Sequence, residues 1–140
     1  FFIILLLLIF FLIFLKKRKF VLSDKELQYI KAHWIRIIDM FHFYPRDAIL
    51  DADKLLDYAL GKKGYDGTLG EKLKKCGKSF SDINGIWMAH KMRNSIAHEM
   101  VDIEEKEFKA ALQSYKRALN DLGAKLGLYG LQEGRGVVKL

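Results

Sequence analysis

Apolar positions recur along this chain in two different ways. From residue 1 to 15 every position is apolar, whereas beyond Ser23 apolar residues return every three or four positions, the period of a helix with one buried face. Ser23-Asp24-Lys25-Glu26 has the Ser-x-x-Glu form in which a hydroxyl and a carboxylate satisfy free backbone N–H groups, so a helix is predicted to start there. Leu27, Ile30, Trp34, Ile37, Ile38 and Phe41 line its apolar side, and Pro45 closes it by excluding the helical conformation from the residue before it. A second helix follows with Ala48, Ile49, Ala52, Leu55, Leu56, Ala59 and Leu60 on one side and Gly61 at its end, before a turn marked by Gly64, Gly67 and Gly70.

Thr68 with Glu71 repeats the capping arrangement and opens a short third helix that stops near Gly77. Ser81 or Asp82 can cap a fourth, running to about His98, and Asp102 with Glu105 a fifth, whose stripe includes Phe108, Leu112, Tyr115 and Leu119. Gly123 suits a left-handed stop, and residues 124–140, with four glycines and no sustained period, are expected to be mobile. No segment alternates with period two. The expected fold class is therefore all-α, a small antiparallel bundle of four to five helices over residues 23–123.

The opening run reads differently. Fifteen apolar residues followed by Lys16, Lys17, Arg18 and Lys19 have the form of a transmembrane anchor with a basic collar over residues 16–22, placing the amino terminus outside and the bundle in the cytoplasm, with the collar on anionic lipid. At about 1.5 Å per residue the run covers only roughly 22 Å of a ~30 Å hydrocarbon core. Because the chain starts with Phe rather than Met, the expectation is that preceding residues complete the span. A cleavable signal peptide would carry its charges before the apolar run and a small-x-small site after it, and the sequence has neither.

Composition adds limits. In 140 residues, half of them apolar, there is room for one domain and one anchor. The formal charge of +7 is concentrated, since four of the excess positive charges are the collar. What is left is a weak nucleic-acid signature, and neither a basic stripe nor interleaved aromatics for gripping RNA stands out. The single Cys76 excludes an internal disulfide and has no zinc-type spacing, and with no local histidine base it reads as an ordinary thiol despite Lys74, Lys75 and Lys78. No metal or cofactor is expected, as no His/Glu pair has ligand spacing.

The fourth helix carries the polar chemistry. On a wheel, Ile83, Ile86, Trp87, Ala97 and Val101 share one side and Met88, Met92 and Ile96 another, so the helix is expected to be central. His90 and Asn94 fall within the first side, and Arg93 and His98 flank it about 140° apart. Buried without partners, such groups cost a few kcal/mol each, so they either satisfy one another or border a groove or dimer face. Two readings stand side by side: a structural network in which Arg93 pairs with Asp51, Asp53 or Asp57 and His98 caps a helix end, and a catalytic site. His33, His42 and His90 have weaker claims.

The stretch Ala89-His90-Lys91-Met92-Arg93-Asn94-Ser95-Ile96-Ala97-His98-Glu99 resembles the signature helix of the HEPN superfamily, small helical bundles marked by Arg, a polar residue, variable positions and His. Residues 47–73 are similar to that family's helix pair with an Ala/Asp/Leu-rich face, and the likeness covers roughly residues 47–122. Many such domains are metal-independent endoribonucleases that act as dimers across the paired signature helices. The resemblance implies Arg93 as the phosphate-binding cation, His98 as general acid/base and Asn94 as the positioning group, with a homodimer through the Ile83-to-His98 helix and RNA as the candidate substrate. An imidazole with an ordinary pKa near 6.5 can exchange a proton with a ribose 2′-hydroxyl, and a guanidinium can brace phosphorane charge. The competing class is a noncatalytic dimerisation, interaction or nucleotide-binding module, with its protein partner unknown.

Overall fold

A computed structural model describes residues 1–18 and 21–127, with residues 16–18 described by backbone alone. Among the described residues there are six α-helices, one 3-10 turn and no strand: α1 (Phe2–Arg18), α2 (Asp24–Phe41), α3 (Pro45–Lys62), α4 (Leu69–Cys76), the turn Gly77–Ser79, α5 (Ile83–His98) and α6 (Glu105–Asp121). Both predicted capping boxes form. Ser23 Oγ accepts from the Glu26 N–H at 3.2 Å while the Glu26 carboxylate accepts from the Ser23 N–H at 3.1 Å, and Thr68 with Glu71 does the same for α4. These satisfy donors that would otherwise end each helix unpaired.

Three helix ends differ from the sequence reading and a fourth takes one of the two caps it offered, each for a local reason. Pro45 opens α3 as well as following the end of α2, because proline lacks the N–H that the first helical turn leaves unused. Gly61 lies inside α3, and Gly64, at φ 98°, makes the left-handed stop. Asp82 rather than Ser81 caps α5, its carboxylate accepting from the Gly85 N–H at 3.0 Å. At α6 the Glu107 carboxylate accepts from the Glu104 N–H at 2.9 Å, two residues past the expected Asp102 cap.

The core is built around α3, which packs on α2, α4, α5 and α6. Ile30, Trp34 and Ile38 of α2, Ile49, Leu56 and Leu60 of α3, and Leu112, Tyr115 and Leu119 of α6 are fully buried. Burying each such aliphatic side chain stabilises the fold by ~1.5–3 kcal/mol. The expectation that α5 is the central helix fails, since only Ile86 and Ala89 of its sixteen residues are buried. On its second apolar side Met92 and Ile96 are half-buried against the core, and Met88 faces outward. Gly123 makes the expected left-handed turn at φ 99°, and the chain then folds back so that Ala124 and Leu126 join the core. Residues 124–127 thus belong to the bundle; the rest of the expected mobile tail lies outside the described residues.

The membrane reading is corrected. α1 holds 17 residues, the last three of them basic, and among the described residues no helix is long and apolar enough to cross a membrane. The physical reason is the shortfall in length: the apolar part of α1 rises roughly 21 Å against ~30 Å of hydrocarbon. A transmembrane helix, a single-pass topology and the placement derived from it are therefore unsupported. The side chains of the basic collar, Lys16 to Lys19, lie outside the described residues. Phe1 to Leu15 are exposed throughout.

Candidate functional site

A single buried carboxylate organises the polar groups of the bundle. Asp53 lies on the side of α3 turned towards α5 and α6, and it is only 5% exposed. Tyr115, from the apolar stripe of α6, donates its hydroxyl to Asp53 Oδ1 at 2.8 Å. His90 Nδ1 meets the same oxygen at 2.8 Å. An ionised carboxylate only accepts, so this contact assigns the proton to Nδ1 and leaves His90 Nε2 without one in the neutral ring. Arg93, three residues further along α5, brings Nε to 3.4 Å from Asp53 Oδ2. That nitrogen is buried and makes no hydrogen bond, so the contact is an ion pair with poor bonding geometry.

This arrangement locks three helices together. Removing Asp53 would leave a guanidinium, an imidazole and a phenol facing a hole, and loss of one partner from a buried charged pair costs ~3–5 kcal/mol. Burial, then the Asp53 charge and hydrogen bond, hold the Tyr115 hydroxyl far above the usual tyrosine range. A second ion pair ties α4 to another part of α3, where the largely buried Lys72 meets Asp57 at 2.8 Å. Of the three carboxylates the sequence offered to Arg93, it is Asp53 that takes it.

The signature residues divide into an anchored part and a free part. Arg93 Nη1 donates to Asn94 Oδ1 at 3.2 Å, so the guanidinium is held between α3 and its own neighbour. Asn94 is exposed, and so is His98. His98 is the last residue of α5, roughly 7.5 Å along the axis from Arg93, and makes no hydrogen bond or ion pair with any described residue. It does not cap the helix: Glu99 follows in extended conformation, its own N–H donating to the Ser95 carbonyl. Arg93 and Asn94 are thus brought together, and His98 is left apart on the open side.

Sequence reasoning missed His90 and Tyr115 as members of the cluster. The signal that could have found them is the buried aspartate, since a carboxylate on the apolar side of α3 needs donors from whatever faces it. Cys76 is buried, and burial pushes its thiol up, outweighing the lowering influence of Lys63. The nearby lysines do not activate it. Among the described residues no group of three His, Cys, Asp or Glu is placed to hold a metal ion. No family profile matches the chain, and neither a curated protein nor a solved structure matches it.

Proposed function

We propose that the chain is a HEPN-like domain that cleaves RNA without a metal, in a site completed by two copies facing each other across α5. The observation that carries this reading is the division of the signature helix: Arg93 is braced from beneath by Asp53, while Asn94 and His98 stand exposed on a helix with only two buried residues. His98 makes no hydrogen bond or ion pair with a described residue, so its ring is open to a substrate or a second copy. Half-buried Trp87, Met92 and Ile96 together with exposed Met88 give that helix apolar surface for a second copy to cover.

In this reading Arg93 binds the scissile phosphate through its terminal nitrogens, and Asn94 fixes the plane of the guanidinium. One His98 takes the proton from a ribose 2′-hydroxyl, whose oxygen attacks the adjacent phosphorus. The bond from phosphorus to the 5′-oxygen breaks, and His98 of the second copy gives that oxygen its proton. The products are a 2′,3′-cyclic phosphate and a free 5′-hydroxyl. A second reading, favoured by the Arg93–Asp53 ion pair, keeps Arg93 as a structural group in a noncatalytic dimerisation module.

The test is cleavage of a mixed-sequence RNA by the full chain, kept in solution with a non-ionic detergent, in excess chelator, beside His98→Ala. Cleavage with cyclic-phosphate ends, lost in a variant that melts at the same temperature, is the expected result. A folded dimer with no cleavage across varied RNAs would replace it with the second reading.

A further inference from the structure

Away from α5, the packing of α2 on α3 leaves a cleft of about 410 Å³, in the size range of sites that hold small ligands. Its walls combine two chemistries that the sequence had not shown together. The first is a cluster of rings. Tyr29 stacks on His33 with centroids 3.9 Å apart, and meets Tyr58 across the cleft at 4.4 Å with the two rings tilted by 35°. His33 is fixed in place because its Nδ1 meets the Tyr29 carbonyl oxygen at 3.1 Å, one turn back. A carbonyl only accepts, so this nitrogen carries the proton and the neutral ring keeps Nε2 as an acceptor.

The second chemistry is cationic. Arg36, one turn beyond His33, lines the cleft and makes no hydrogen bond or ion pair with a described residue. Opposite it, Lys54 reaches only Asp51, at 3.9 Å and with both side chains largely exposed, a contact that costs little to release. Beneath lie Ile37 and Leu55, both buried and apolar. Flat rings over an apolar floor, with two under-used cations at the rim, match a ligand that is flat at one end and anionic at the other. None of Arg93, Asn94 or His98 lines this cleft.

We propose that the α2–α3 cleft binds a nucleotide, its base extending the Tyr29–His33 stack beside the tilted Tyr58 ring and its phosphate held by Arg36 and Lys54. Stacking on an aromatic side chain tolerates any base because each has a π face, and Arg36 offers the phosphate a bidentate fork. The nucleotide can be free or one unit of a single strand, since both present the same base and phosphate. The site stands whether or not α5 cuts RNA.

The experiment is calorimetric titration of the full chain in non-ionic detergent with adenosine 5′-monophosphate, with adenosine, and with a 2′-deoxy adenine pentamer that cannot be cut by 2′-hydroxyl attack. We expect at least one phosphate-bearing probe to bind, with affinity falling tenfold or more in both Arg36→Ala and His33→Ala, unchanged in His98→Ala, and at least tenfold weaker for adenosine. A pentamer binding more than tenfold tighter than the monophosphate identifies a strand as the source; equal or weaker binding identifies the free nucleotide. Binding of neither probe overturns the site, as does binding that survives Arg36→Ala or is lost equally in His98→Ala. Arg36 and His33 are not buried, so folding of both variants is checked by their unchanged melting temperature.

Discussion

α3 and α5 are of similar length and touch each other, yet the fold uses them in opposite ways. α3 buries eight of its residues and packs on four helices; α5 buries two and keeps an outward face of Met88, Asn94 and His98. The polar groups follow the same division. The Asp53 carboxylate on α3 is enclosed and receives three partners, whereas the signature residues on α5 become more exposed from Arg93 to His98. A helix that is surrounded can be tuned only for packing, and a helix with an open face can hold chemistry. The difference teaches that Arg93 belongs to both regimes, held from beneath and accessible from above.

Asp53→Ala should break the contrast most severely. It strands the buried Tyr115 hydroxyl and the half-buried His90 and Arg93, and is expected to cost ~3–5 kcal/mol, read as a lowered denaturant midpoint. A loss below ~1 kcal/mol would mean that the cluster is not what joins α3 to α5. Leu56→Ala, at a fully buried α3 position, should cost ~2–5 kcal/mol in the same measurement, while Met88→Ala on α5 should stay within ~0.5 kcal/mol. Similar losses at the two positions would show that the outward face of α5 is packed in solution.

Tyr115→Phe sharpens the comparison at intermediate size. Losing one hydrogen bond to a buried carboxylate should cost ~1.5–3 kcal/mol near neutral pH. Its pH dependence has a definite sign. The folded hydroxyl is held above its ordinary 10.0, so its contribution is complete below that value and is lost as pH rises past it, when the unfolded tyrosine ionises. The wild-type unfolding free energy should therefore fall more steeply above about pH 10 than that of the variant, and parallel curves would contradict the buried bond. Smallest of all in stability, His98→Ala should shift the midpoint by less than ~0.5 kcal/mol while removing RNA cleavage. A large shift would place His98 among the structural groups.

Much of this architecture is legible in the residues themselves, because the signals are local. Ser23 with Glu26 and Thr68 with Glu71 act within one turn, and the spacing of Ile30, Trp34 and Ile38 reports a buried face without reference to anything distant. Periodicity says which residues share a face but not which faces meet. Apolar residues on two sides of α5 therefore read as a central helix, although most of them lie half-buried at the edge of the core and Met88 faces outward. Tyr115 in an apolar stripe reads as plain core until its acceptor is known, 62 residues away. The cleft was hidden for the same reason, since Tyr29 and Tyr58 become neighbours only when α2 and α3 pair. The opening run illustrates a different failure: hydrophobicity drew the membrane reading, but among the described residues no helix is long and apolar enough to cross a membrane.

The shared carboxylate also bears on the order in which the chain assembles. α2 and α3 are separated by a three-residue turn, so their contacts close short loops, whereas Asp53 must wait for partners 37, 40 and 62 residues further on. By sequence separation the α2–α3 hairpin is expected to form first and the Asp53 contacts late. Weakening the hairpin, as with Ile38→Val, should slow refolding, while Tyr115→Phe should leave refolding nearly unchanged and speed unfolding. The carboxylate would then act as a latch, setting how long α5 stays closed rather than how fast the bundle forms.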